Sequence, residues 1–361
     1  MTGWSADRRA FVQMMAAGAV GLASAPALAA APESRNRKMI VRADDVGQSK
    51  ICNLGTFEAI EHGVVTAADV MLDSPGTEDA LERLGAYPWL SVGWHMHMWG
   101  APVLGAKAVP SLVEKGGEFD GRFRLDLQKA SDVVHDEAVR ELRAQLLRCA
   151  KILGRVPDTG GKENLSSVWG RAVKQVVDEF GIAHNFTGSE RVDPTYYAKI
   201  KAAQARGEEW AKFYSTEPPA PLVPDPKWAD RKIVAAGSAQ AFVDLLTDSV
   251  SSVESNYDAA RFYTEDRAGI LKYPRDVITW QAWHPGYIDY YAYRLGERGN
   301  RARAQQFVIS RVQDVEALTS QRLRDWIKAN RIELINFRDA LYGRDEYQNH
   351  LKAIGSDLGM I

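Results

Sequence analysis

Three short stretches of the chain carry residue types suited to hydrolytic or metal chemistry. "RADDVG" holds Asp44 and Asp45, "SVGWHMHMWG" holds His95 and His97, and "WQAWHPGY" holds His284. Carboxylates and imidazoles are the groups that move protons in general acid–base catalysis and that ligate divalent ions. Neighbouring side chains on a regular strand point to opposite faces. Asp44 and Asp45 therefore reach one site only if the pleat breaks between them, as it does at a strand end. Each group alone has an ordinary explanation: an Asp-Asp pair can cap a helix or close a turn, and a lone histidine can be a satisfied structural residue. The combination carries more weight than any one member.

The elements that must position these residues alternate in type. "KMIVRAD" is strand-like, and "SKICNLGTFEAIEHG" follows with helical spacing and a stop at Gly63. "VVTAADVMLDSPG" reads as a strand and turn, "TEDALERLGAYP" as a helix, and "LSVGWHMHM" as a third strand with His95 and His97 in it or at its end. Val139, Leu142, Leu146, Cys149 and Leu153 recur at helical spacing, which predicts a long amphipathic helix opened by Ser131 or Asp132. "SSVWGRAVKQVVDEFG" and "SAQAFVDLLTDSVSSV" are further helices, "RDVITWQAWHPG" contains a strand, and "SQRLRDWIKANRIELINF" is a helix leading into a last strand. Strands alternating with helices predict βα units around a mostly parallel sheet. In such folds chemistry sits at the C-terminal strand ends, where Asp44, Asp45, His95 and His284 fall.

The segment before the first strand has the form of a targeting signal. Arg8 and Arg9 precede Phe11 and an apolar Ala/Gly/Met-rich run that closes on Ala27-Leu28-Ala29. The adjacent arginines resemble a twin-arginine export signal, so residues 1–30 are expected to be a signal peptide and the mature protein to be periplasmic or secreted. The run is too short and too weakly apolar for a stable membrane span. Residues 31–361 then form a single α/β domain, with 189–237 as an elaborated loop or cap. A net charge of −2 without a basic patch gives no reason to expect a nucleic-acid partner. The two cysteines, Cys52 and Cys149, are separated too far to form a Cys-x-x-Cys site, and Cys149 reads as a buried thiol.

In order along the chain, "IVRADDVGQSKICNLGTFEAIEHGVVTAADVMLDSPGTEDAL", "LSVGWHMHM", "VPSLVEKGGEF", "HPGYID" and "EALTSQRLRDWIKANRIELINFRD" resemble the YdjC/ChbG-like carbohydrate deacetylases, a group that includes a hopanoid-biosynthesis branch. The resemblance runs from Lys38 to Asp339 and is poor over 189–237. It implies a (β/α) barrel, TIM-like or NodB-like, that uses one divalent ion (Zn or Mg, with Mn and Co as alternatives) to remove N-acetyl groups from an amino sugar, oligosaccharide or glycoconjugate. Carried over by position, Asp44 is the base that activates the attacking water, Asp45 and His95 are metal ligands, and His284 is the acid that protonates the leaving amine. The partner is an acetylated sugar, and homodimerisation is left open.

Relatives carry a histidine-rich run after a Gly-Arg and a Pro; the matching "GRVPDTGGKENLSS" has no histidine. Ungapped counting from Gly154 puts Glu163 at the ligand position, and Glu is a competent oxygen ligand. His97 swinging in, or a site that holds metal weakly or not at all, are the alternatives. His97 otherwise lines the pocket. Trp94, Trp280 and Tyr287 are expected to contact substrate, since flat rings stack on sugar faces. Besides N-deacetylation, the same residues allow hydrolysis of another amide or an O-acetyl ester, or a degenerate site in a non-catalytic periplasmic carbohydrate-binding protein.

Overall fold

The structure is a computed structural model that describes residues 36–96, 98–160, 166–183, 202, 205–207, 232–235, 260–267, 269–300 and 304–360. The expected signal segment, most of the expected cap, the helix expected at "SAQAFVDLLTDSVSSV", His97 and Glu163 lie outside the described residues. The chain is a single-domain (β/α) barrel built on a curled, all-parallel sheet. Its strands are β1 (Arg37–Val46), β2 (Ala67–Val70), β3 (Ser91–Trp94), β4 (Thr159–Gly160), β5 (Lys232–Ala235), β6 (Val277–Trp283) and β7 (Ile332–Leu334). They run in the order β4-β3-β2-β1-β6-β5, and β7 pairs with the start of β1.

Helices α1 (Lys50–Glu61), α2 (Thr77–Leu84), α3 (His135–Leu153), α4 (Val168–Glu179), the short α5 (Arg261–Thr264), α6 (Tyr290–Asn300), α7 (Ala304–Thr319), α8 (Gln321–Ala329), α9 (Phe337–Tyr342) and α10 (Glu346–Ala353), with a 3-10 turn at Ile270–Lys272, complete the described elements. Side chains alternate across each strand, so the sheet has two apolar layers. Met39, Val41, Ala43, Val70, Val92 and Trp94 belong to the larger cluster, which also takes in α1, α2, α3, α4 and α8. Ile40, Ala67 and Ile278 belong to a second cluster with Phe337, Ala340 and Leu341 of α9. That second layer is the inner face, and above it the same alternation brings Arg42, Asp44 and Asp69 inward.

The helices expected at "SKICNLGTFEAIEHG" and "SSVWGRAVKQVVDEFG" form as α1 and α4, each opened by a serine. Ser49 caps α1 by accepting from the Cys52 backbone N–H, and Ser167 caps α4 by accepting from that of Gly170. The start of α3 differs: the helix opens at His135 after Val134, with no side-chain cap. Asp132 is engaged elsewhere, accepting from Arg124 Nη1 at 2.9 Å. The third strand ends at Trp94, before either histidine, and Met98 lies at φ 47°. Cys52 and Cys149 are both buried free thiols.

Candidate active site

Asp44 and Asp45 stand where β1 leaves the sheet. The β1–β2 register shifts between Ala43 and Val46, and Asp45 adopts φ 58°, in the left-handed region. This break in the pleat turns both carboxylates into one site, as the adjacent pair requires. Left-handed backbone is unfavourable for a residue with a Cβ, and such conformations concentrate at functional sites. The following turn is fastened at Gly47, whose N–H donates to Asn53 Oδ1 at 2.8 Å and whose carbonyl accepts from Gly76 at 3.0 Å.

Each carboxylate is held by an arginine, Asp44 by the partly buried Arg42 and Asp45 by the buried Arg311. Arg42, two residues before Asp44 and so on the same strand face, donates through Nε to Asp44 Oδ1 at 2.5 Å and through Nη2 to Oδ2 at 2.8 Å. Its Nη1 reaches Asp69 Oδ2 at 3.1 Å, and the guanidinium lies 4.3 Å from the ring centroid of Trp280. Arg311 of α7 donates through Nη2 to Asp45 Oδ2 at 2.5 Å, while Asp45 Oδ1 meets His95 Nε2 at 2.9 Å. Burial raises a carboxyl pKa, but here opposing charge wins. Asp44 is held below the usual carboxylate range by Arg42, His95 and His284 in spite of its burial. Asp45 is held well below that range by Arg311 and His95 against the same penalty. Both are therefore ionised at neutral pH.

The two histidines are shifted in opposite directions. Burial lowers the pKa of His95, yet Asp44, Asp45 and Asp69 outweigh it and the net shift is upward. For His284 burial dominates the pull of Asp45 and Asp44, and the net shift is downward. His284 follows β6 directly, and its backbone N–H donates to Asp314 Oδ2 at 2.9 Å. The Pro285-Gly286 turn beyond it is pinned on both sides. Thr56 Oγ1 donates to the Pro285 carbonyl at 2.6 Å, and Gly286 N–H donates to the Arg311 carbonyl at 3.2 Å. Gly55 makes this contact possible, since a Cβ there would come within 2.7 Å of the Gly286 backbone.

Of the residues expected from the sequence, the structure brings Asp44, Asp45, His95 and His284 together. Trp280 joins them indirectly, beneath Arg42 and edge-on to Phe337. Tyr287 sits three residues beyond His284 with 37% of its surface exposed. Trp94 corrects an expectation. It is 0% exposed and packed in the outer core with Val92, because Gly93 takes the inward-facing position next to it. Sequence reasoning missed Arg42, Asp69, Arg311 and Asp314. The available signal for two of them was a charged residue inside an otherwise apolar strand, "MIVRAD" and "AADV", where burial is costly without a partner.

The donor chemistry suits a divalent cation. Asp44, Asp69 and His95 each offer one ligand atom, all within 4.8 Å of one another, and Asp69 Oδ1 is a buried oxygen without a hydrogen-bond partner. Oxygen and imidazole donors in this number are what catalytic zinc and related ions take.

Comparisons with known proteins agree with this frame. The chain is 46% identical over 112 residues to a carbohydrate deacetylase of Brevibacillus brevis, a match covering 31% of this chain and 43% of that protein. It is 37% identical over 119 residues to a chitooligosaccharide deacetylase of Serratia marcescens, covering 33% and 46%. These matches thus span less than half the length of each relative. A crystal structure of an Enterococcus faecalis V583 protein superposes with a TM-score of 0.53 at 20% identity, over 84% of this chain and 98% of that one, which supports the shared fold. The family model described as YdjC-like protein matches residues 38–329, and the chain belongs to that family.

Proposed function

We propose that the protein hydrolyses the N-acetyl group of an amino sugar, an oligosaccharide or a glycoconjugate, using a divalent ion. The observation that carries this reading is the meeting of Asp44, Asp45, His95 and His284 at the C-terminal ends of three parallel strands. The names of the Brevibacillus and Serratia relatives support the substrate class. His95 and Asp45 are the residues assigned to the ion. When bound, such an ion polarises the acetyl carbonyl and lowers the pKa of water.

The chain's own groups handle the protons. Asp44, ionised and fixed by the Arg42 fork, accepts the proton of the water that adds to the acetyl carbon. His284 then donates a proton to the nitrogen as the C–N bond breaks, leaving acetate and a free amine. Burial lowers the pKa of His284 and leaves its imidazole neutral in the resting site, so the proton it donates is the one Asp44 takes from the water. Arg311 keeps Asp45 ionised and oriented, and Tyr287, three residues beyond His284 and partly exposed, is the ring assigned to a sugar face.

Acetate release from N-acetylated oligosaccharides tests the assignment. Asp44→Asn and His284→Ala should each lower turnover by roughly a hundredfold or more while leaving the folded structure intact by circular dichroism. Full activity in either variant contradicts the role given to that residue.

A further inference from the structure

We infer that Asp69 is the ligand that completes the divalent-ion site in this chain, taking the place of the histidine missing from "GRVPDTGGKENLSS". The inference rests on the metal-dependent reading above and names the residue through which this chain satisfies it.

Asp69 lies on β2 between the two strands that carry the other donors. Ala68 pairs with Ala43, one residue before Asp44, and Asp69 pairs with Gly93, two residues before His95. One oxygen each of Asp44 and Asp69 and one nitrogen of His95, from three neighbouring strands, lie within 4.8 Å of one another, so Asp69 shares one space with the assigned ligand His95 and the assigned base Asp44. Asp69 is only 6% exposed. Its Oδ2 is paired with Arg42, but its Oδ1 is buried with no hydrogen-bond partner. A bare carboxylate oxygen in the interior is unfavourable unless something charged or protic meets it.

The neighbouring strand is shaped around that oxygen. A Cβ at Gly93 would stand 1.9 Å from Asp69 Oδ1 and 2.8 Å from Thr159 Oγ1, so only glycine leaves the carboxylate its present position. The pairing of Arg42 with Asp44 and Asp69 does not exclude an ion. Each carboxylate oxygen has two lone pairs and accepts from a guanidinium while ligating. With His95 neutral, as a ligand must be, three carboxylates, Asp44, Asp45 and Asp69, stand against two guanidiniums, Arg42 and Arg311, and the remaining negative charge favours a cation.

The test is equilibrium binding of Mn2+ and Zn2+ to chelator-stripped full-length protein, comparing wild type with Asp69→Asn, Asp69→Ser and Glu163→Gln. Asn keeps the size of Asp69 and an acceptor for Arg42; Ser gives a smaller second variant in case Asn misfolds, with folding checked by thermal melting. Losing an outer partner of a ligand already weakens metal affinity by about 10–100-fold, so both Asp69 variants should bind at least tenfold more weakly, with Glu163→Gln close to wild type. Co2+ spectra should differ between wild type and the Asp69 variants at saturating metal. Wild-type affinity and spectra in folded Asp69 variants would overturn the inference and leave the proposed function standing. A wild type that binds none of these ions would overturn both.

Discussion

At the scale of single residues, the site is organised by two guanidiniums, one partly and one fully buried, as much as by the groups that would do chemistry. Arg42 fixes Asp44 with a bidentate fork and extends to Asp69; Arg311 fixes Asp45. Arginine suits both places because its planar fork matches a carboxylate and stays charged when buried. Arg311 is 1% exposed and also packs its guanidinium 4.4 Å from the centroid of the Phe307 ring. Removing one member of a buried pair strands the other charge, a loss of about 3–5 kcal/mol. Arg311→Leu should therefore lower unfolding free energy by that order in denaturant titrations. A loss under about 1 kcal/mol, the range of an exposed pair, would show that Asp45 does not depend on Arg311.

At the scale of elements, the turn after β6 places His284, and its seat is the close approach of α1. Gly55 allows the backbone of α1 to lie against Gly286, with Thr56 bonded to the Pro285 carbonyl. Gly55→Ala puts a methyl where backbone now stands. Overpacking of this kind costs about 1–3 kcal/mol, and a displacement near 1 Å at a catalytic group can lower rates about a hundredfold. Turnover should fall far more than stability does; unchanged acetate release in a folded Gly55→Ala protein would mean that the turn does not set the position of His284. The strand ends bearing Asp44, Asp45, His95 and His284 were legible because polar residues followed apolar runs. Arg42, Asp69 and Arg311 were not, since one arginine or one aspartate within a strand or helix has no spacing signal until the sheet curls and brings strands together. The start of α3 was misread for a related reason. Asp132 has the right type for a cap, but Arg124, in the loop that precedes the helix, competes for it.

At the scale of the whole molecule, the parallel sheet collects buried acids at one end, and their protonation links the fold to pH. Asp314 is the clearest case outside the proposed ion site: burial raises its pKa to about 7, against the opposing effects of the His284 N–H and Arg311. An unfolded aspartate titrates near its ordinary value of about 3.9. Between these values the folded chain holds a proton that the unfolded chain has released, so this group's contribution is full below about pH 4 and is lost as pH rises toward 7. Asp314→Asn retains an acceptor for the His284 N–H without titrating. The melting temperature of this variant should fall less than that of wild type between pH 5 and pH 8; identical slopes would contradict the assignment. No helix among the described residues is long and apolar enough to cross a membrane.

Metal-dependent removal of acetyl groups from sugars is measured as acetate release from N-acetylated chitooligosaccharides before and after chelator treatment. Release should stop on chelation, return with Zn2+, Mn2+, Co2+ or Mg2+, and yield one free amine per acetate. No acetate from any substrate with any of these ions, or release indifferent to the chelator, would contradict it.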